Sequence, residues 1–192
     1  ALAGTRFYPG DLAGRQEIVE RARQLRVDPK STIVAGDFAL AAVLAFGLDR
    51  PDIQVLDSPS NHKHGRAVQL QQWRLQLNDL AQAPSAPLVL FVDDTATAMK
   101  DRLVAYHQLC EVFGALPAPE VLNVDHGRKR YLIYRIESLD KRPGCTAPAL
   151  AWLDSPAAKA SVPSRFTATG WAFKDGVGLS AVEVTVDGMV VA

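Results

Sequence analysis

The sequence predicts an α/β fold, a three-layer doubly wound mixed sheet ending in a hairpin, with a short all-β segment after it. Three observations carry this. Strand-like and helix-like segments alternate three times, which argues for β-α units and a largely parallel sheet. The run Leu88-Val89-Leu90-Phe91-Val92 is continuously apolar, as a strand covered on both faces should be. Beyond a Pro/Gly-rich stretch, the pattern changes to period two.

The elements follow in order. Pro9-Gly10-Asp11 reads as a turn and helix cap, and Leu12, Val19, Ala22 and Leu25 then recur at helical spacing. Glu17 and Arg21 stand four apart, on the side expected to face solvent, and the helix is expected to end near Asp28-Pro29. Thr32-Ile33-Val34-Ala35 reads as the first strand, and Asp37 as the cap of the helix after it. That helix is apolar nearly all round from Ala39 to Leu48, so deep burial is expected. Ile53 to Leu56 is the second strand. A polar loop, Asp57 to Gly65, leads to a helix with Leu70, Trp73, Leu77 and Leu80 on one face. After the Leu88 to Val92 strand, Met99, Leu103, Tyr106, Cys110 and Phe113 trace a helical stripe. Val121 to Val124 and Tyr131 to Ile136 flank Asp125-His126-Gly127-Arg128 as a hairpin.

These elements place an α/β domain at residues 1–140, a linker at 141–150 and a partial β-sandwich-like segment at 151–192. In the last, Phe166 to Phe173 and Val182 to Val186 alternate, joined by Lys174 to Gly178, and Asp187-Gly188 is a hairpin turn signal. Gly170-Trp171-Ala172 and Val186-Asp187-Gly188 resemble the start of a bacterial immunoglobulin-like module. A full sandwich takes about seven strands. The expectation is therefore of a module that continues beyond this segment, the alternative being a short β tail packed on the first domain.

Lys plus Arg and Asp plus Glu number 21 each in 192 residues, so no excess of cations is present to neutralise a phosphate backbone, and nucleic acid is not an expected partner. The uncharged run from Phe38 to Leu48 falls far short of the ~20 residues that cross a bilayer. The N-terminus carries no signal-peptide pattern. The two cysteines, Cys110 and Cys145, read as a buried free thiol and an exposed one; a single pair does not establish a disulfide.

Candidate sites are few. The first strand-helix turn, Ala35-Gly36-Asp37-Phe38, has one glycine where a dinucleotide site needs three. Asp37 is therefore read chiefly as a cap, with a ligand contact at the crevice as the alternative. Asp93-Asp94 follows an apolar strand but lacks the partners of a nucleotide or metal site, and Asp94 or Thr95 reads as a cap of the next helix. Asp57, His62 and His64 share the polar loop; two histidines fall short of the three or four ligands of a zinc site, so no metal is expected. His107 reads as a structural helix residue and His126 as a turn residue. Arg66, Gln69 and Trp73 occupy one helix face, where an Arg beside an aromatic could hold a sugar or a phosphate. The favoured reading is that Trp73 is core and the other two tie the loop to the helix, with ligand binding as the alternative. The candidate ligand-binding set is thus Asp37, Asp57, His62, Arg66, Gln69 and Trp73, with no catalytic residue and no cofactor.

The stretch Ile33 to Leu48, a short strand, an acid and an Ala-rich helix ending at Phe46-Gly47-Leu48, together with Arg66-x-x-Gln69-x-x-x-Trp73, resembles the protein mannosyltransferase and aminoarabinose transferase group. Leu70 stands where that group usually has Tyr, and Phe46-Gly47-Leu48 lacks a usual Tyr. The resemblance spans residues 10 to 140. It implies the soluble C-terminal domain of an integral-membrane glycosyltransferase that uses a polyprenyl-phosphate-linked sugar. It further implies a place on the extracytoplasmic, periplasmic face of a bacterial inner membrane. The implied partners are the membrane-embedded part of the same polypeptide and a glycan or acceptor. The group's catalytic acid lies in its membrane part and maps onto nothing here, so the implied role is accessory. The alternatives are a glycan- or protein-binding module, and a self-contained α/β enzyme with a crevice near Asp37, Asp57 and His62.

Overall fold

A computed structural model describes residues 13–77, 87–114, 116–124, 128–137, 147–157, 160–175, 178–186 and 189–191. It separates into two compact units, Ala1–Cys145 and Thr146–Ala192.

The first unit mixes helices with a six-stranded sheet. Helix α1 (Arg15–Gln24) precedes β1 (Thr32–Ala35), α2 (Phe38–Leu48) and β2 (Gln54–Leu56). Two short helices follow, α3 (Pro59–Lys63) and α4 (Ala67–Gln72), then β3 (Gln76–Leu77) and β4 (Leu88–Asp93). A 3-10 turn (Met99–Asp101) opens α5 (Arg102–Phe113), and β5 (Glu120–Val124) and β6 (Lys129–Ile136) close the unit. The strand order is β3-β2-β1-β4-β6-β5. β1 pairs in parallel with β2 and β4, and β2 pairs in parallel with β3. β6 runs antiparallel to both β4 and β5, which makes the sheet mixed.

Alternate strand residues are buried to opposite sides. Ile33, Ala35, Val89, Phe91 and Ile133 share one apolar cluster with Ile18 of α1, Leu44 of α2 and Leu70 of α4. Their neighbours Val34, Leu90, Leu132 and Tyr134 are also almost fully buried, outside that cluster. α1 and α2 approach closely because of Gly47: a Cβ there would lie 2.5 Å from both Val19 methyl groups. Arg23 Nη2 also donates to Gly47 O at 2.6 Å.

Several sequence expectations need correction here. α2 is not buried all round. It buries Leu40, Ala41 and Leu44, whereas Phe46 is 94% exposed. The polar loop after β2 contains α3, with Pro59 in its first turn, where its missing N–H costs nothing. The helix expected to run through Leu77 stops at Gln72; Arg74 takes a left-handed φ of 57°, and Gln76–Leu77 returns as β3 beside β2. Trp73 is therefore 64% exposed rather than core. Leu80 lies outside the described residues, as do Pro9 to Leu12 and His126. Arg21 does not lie idle on a solvent face: its Nε and Nη2 donate to the two carboxylate oxygens of Glu120 at 2.6 and 2.7 Å, tying α1 to β5. Cys110 is not a free thiol but disulfide-bonded. The chain holds one other cysteine, Cys145, which lies outside the described residues.

The second unit holds two small antiparallel pairs. β7 (Leu150–Ser155) pairs with β8 (Thr169–Phe173), setting Trp152 opposite Trp171. A Cβ at Gly170 would collide with the Trp152 carbonyl, so only glycine fits there. β9 (Thr185–Val186) pairs antiparallel with β10 (Met189–Val190); the expected turn, Asp187-Gly188, lies outside the described residues. β8 thus pairs with β7, not with the Val182 to Val186 run. β7 begins inside the stretch expected to be linker.

Candidate functional site

Two concavities in the α/β unit hold most of the candidate residues. The first is a crevice of about 410 Å³ at the carboxyl ends of β1, β2, β3 and β4. Gly36, Leu56 to Pro59, Leu77, Val92 and Asp94 come from the strand ends, and Ala105, Tyr106 and Leu109 come from α5. Because chains leave β1 and β4 in different directions, a gap opens there, and ligands of open α/β sheets bind at such gaps.

Asp57 lines the crevice, and His62 Nε2 lies 2.6 Å from its Oδ1. The carboxylate accepts, so the ring carries a proton on Nε2. Both side chains are more than half in contact with solvent or nearly so, at 58% and 50% exposure. Asn61, fully buried, fixes this corner: its Nδ2 donates to Leu56 O at 2.8 Å, and its Oδ1 accepts from Phe38 N at 3.1 Å. Ser58 Oγ is buried beside the same crevice without a hydrogen-bond partner among the described residues.

At the crevice floor Asp94 is 2% exposed. Its Oδ2 accepts from Arg130 Nε at 2.9 Å and from the Tyr106 hydroxyl at 3.1 Å. Arg102 Nε lies 3.3 Å from the same oxygen, close enough for ionic attraction but misaligned for a hydrogen bond. The backbone closes the cluster: Asp94 N donates to Arg130 O, and Arg130 N to Thr95 Oγ1. Burial, then the Asp94 charge, pushes the Tyr106 phenol up. Burial also raises Tyr134 strongly, with Tyr106 and Asp94 adding to it.

Sequence reasoning assigned Asp94 or Thr95 to a helix cap, and the structure does otherwise. α5 starts at Arg102, and Asp93 Oδ1 accepts from Thr95 N in a local turn while Asp94 points inward. The signal was available: an acid closing an apolar strand, a Tyr on the helix stripe, and an Arg in the hairpin strand paired to that strand.

The second concavity, about 340 Å³, is a groove between α2 and α4 floored by Ile53 and Val55 of the second strand region. Arg66, Gln69 and Trp73 line it, and Arg66 Nη1 donates to Gln69 Oε1 at 3.0 Å. The six candidates therefore divide. Asp57 lines the crevice and His62, hydrogen-bonded to it, does not, while Arg66, Gln69 and Trp73 line the groove. Asp37 lines neither concavity; its Oδ1 accepts from Ala39 N at 2.8 Å and Leu40 N at 3.0 Å as the α2 cap. His64 packs its ring against Phe38 with centroids 5.7 Å apart.

Among the described residues, no three His, Cys, Asp or Glu side chains converge as metal ligands, and no helix is long and apolar enough to cross a membrane. No protein-family model, curated protein or solved structure matches the chain.

Proposed function

We propose that this chain is an accessory, extracytoplasmic domain of an integral-membrane glycosyltransferase using a polyprenyl-phosphate-linked sugar, and that it performs no chemistry by itself. The observation that carries the proposal is the disulfide at Cys110. Disulfides persist in oxidising compartments, such as the bacterial periplasm, and are rare in the cytosol. The acidic groups of the crevice favour a holding role over a reacting one: Asp94 is committed to Arg130 and Tyr106, and Asp57 to His62.

The finer architecture belongs to the same reading. The α1-α2-α4 cluster on one side of the sheet, with Tyr106 and Phe113 of α5 buried apart from it, favours a doubly wound three-layer arrangement. The β7-β8 pair with facing tryptophans supports the start of an immunoglobulin-like module. The natural partner is then a membrane-embedded part of the same polypeptide, with a glycan or acceptor as ligand.

The test is an assay of the purified, oxidised chain with polyprenyl-phosphate sugars and a range of acceptors. No transfer is expected, and turnover would overturn the accessory role. Reading the gene upstream of Ala1 for several apolar segments of ~20 residues tests the membrane assignment independently.

The Asp57–His62 pair favours a second reading, a self-contained α/β enzyme with its site in the crevice. A rise in melting temperature with a divalent cation or a nucleotide, lost in His62→Ala, would select it.

A further inference from the structure

We infer that the groove between α2 and α4 binds a single-chain amphiphile with an acidic head group, whose head is held at the mouth by Arg66. At about 340 Å³ the groove lies within the ~300–1,000 Å³ range of small-molecule sites. Its floor consists of core residues, Ile53 and Val55, that are 2% and 1% exposed. Along one wall α2 presents Ala41, Ala42 and Ala45, whose methyl groups leave open the space that larger side chains would fill. Leu70 and Trp73 form the other wall.

Of the twelve lining residues ten are apolar, so the body of the ligand must be apolar. The two polar ones, Arg66 and Gln69, hydrogen-bond to each other and so stand at one point. Gln69 takes one of the guanidinium's five N–H donors, leaving a fork suited to a carboxylate or phosphate. No carboxylate is among the described residues lining the groove, so the one charge at its polar end is the cation of Arg66. A cationic amphiphile would be repelled, and a neutral hydrocarbon would leave the fork unused. A bilayer surface would meet the exposed Phe46 and Trp73 but not the buried floor, which favours a single inserted chain. The inference does not depend on the glycosyltransferase reading and would stand without it.

The test titrates the whole oxidised chain with dodecyl phosphate below its micelle concentration, by calorimetry. Dodecanol, inorganic phosphate and anionic phospholipid vesicles serve as separate arms. Dodecyl phosphate should bind at one site per chain, dodecanol several-fold more weakly, and phosphate and vesicles not measurably. Because Arg66 is exposed, Arg66→Gln should weaken dodecyl phosphate only about three- to fivefold while leaving dodecanol unchanged. Ala45→Phe, which fills the groove, should reduce binding of both by about tenfold or more. Ala42→Phe, at a solvent-exposed α2 position, repeats this test should Ala45→Phe fail to fold. The inference is overturned if dodecanol binds as tightly as dodecyl phosphate, if vesicles alone bind, or if a folded groove-filling variant binds like the wild type. An Arg66→Gln variant that retains full preference for the phosphate overturns the assignment of Arg66.

Discussion

Asp94 and Arg130, thirty-six positions apart in the chain, meet at 2.9 Å through Oδ2 and Nε, and the Tyr106 hydroxyl donates to the same oxygen. The pairing joins the end of β4 to the start of β6, and Tyr106 brings α5 to both. A carboxylate this deeply buried is tolerable only because two guanidinium groups and a phenol compensate its desolvation.

Asp94→Asn keeps the shape of the side chain and removes the charge, leaving the largely buried Arg130 and Arg102 against a neutral amide. A loss of about 3 kcal/mol is expected, measured by urea unfolding. Tyr106→Phe removes one hydrogen bond and should cost about 1 kcal/mol. A double variant whose cost equals the simple sum would show that the two contacts do not act together.

Gly47→Ala sets two effects against each other. Alanine gains up to ~1 kcal/mol of helix propensity over glycine. The new Cβ, however, would sit 2.5 Å from both methyl groups of Val19, a rigid side chain on a packed helix. Overpacking typically costs ~1–3 kcal/mol, so the net effect should be destabilising. Adding Val19→Ala should restore the α1–α2 fit and recover part of the loss. A Gly47→Ala variant as stable as the parent by thermal melting would contradict the close packing.

Legibility followed local chemistry. The strands β1, β2, β4 and β6 and the helices α2 and α5 were readable because apolar runs and the Asp37 cap are local signals. The hairpin of β5 and β6 was readable for the same reason. What escaped depends on partners distant in sequence. Helix α3 is too short to show a period, and β3 has two residues whose only strand signal is their pairing to β2. Trp73 looked like core because helical spacing was carried past Arg74, where the backbone turns left-handed. The Asp94–Arg130–Tyr106 cluster joins three elements and the Arg21–Glu120 fork joins two that lie far apart in the chain, so no window of sequence contains them. Of the candidate residues, the pairing of Asp57 with His62 and the shared face of Arg66 and Gln69 were foreseeable from spacing. Their division between a crevice and a groove was not.

Stability should fall at both ends of the pH scale for identifiable reasons. The hydrogen bonds from Arg21 hold Glu120 below the ordinary carboxylate range, and those from Arg50 do the same for Asp52. A carboxylate with a depressed folded pKa stabilises the fold above its unfolded pKa, and that contribution is lost as pH falls through the folded value. Acid should therefore lower the denaturation midpoint, and Glu120→Gln should flatten the acid limb modestly, since the pair is partly solvated. At the other end, burial and then the Asp93 charge push Tyr131 up to about 12 from 10.0. For a phenol raised in this way, the stabilisation is complete below the unfolded pKa and disappears between about 10 and about 12. Ultraviolet titration should show late-ionising tyrosines, of which Tyr131→Phe removes the component near 12.

The disulfide gives a readout that separates compartment from fold. With Cys110 disulfide-bonded and Cys145 the one other cysteine in the sequence, unfolding in guanidinium without reductant should release no thiol to a colorimetric reagent, and added reductant should expose both. Cys110 lies on α5, the helix that carries Tyr106 to Asp94, so cutting the link loosens the element that closes the crevice floor. Cys110→Ser should cost about 2–4 kcal/mol. Its denaturation midpoint should match that of reduced wild-type protein. If reduction leaves the midpoint unchanged, the bond contributes nothing to the fold, although thiol counting would still report the compartment. If thiols are titratable in the unreduced chain purified from an oxidising compartment, the extracytoplasmic assignment loses its principal support.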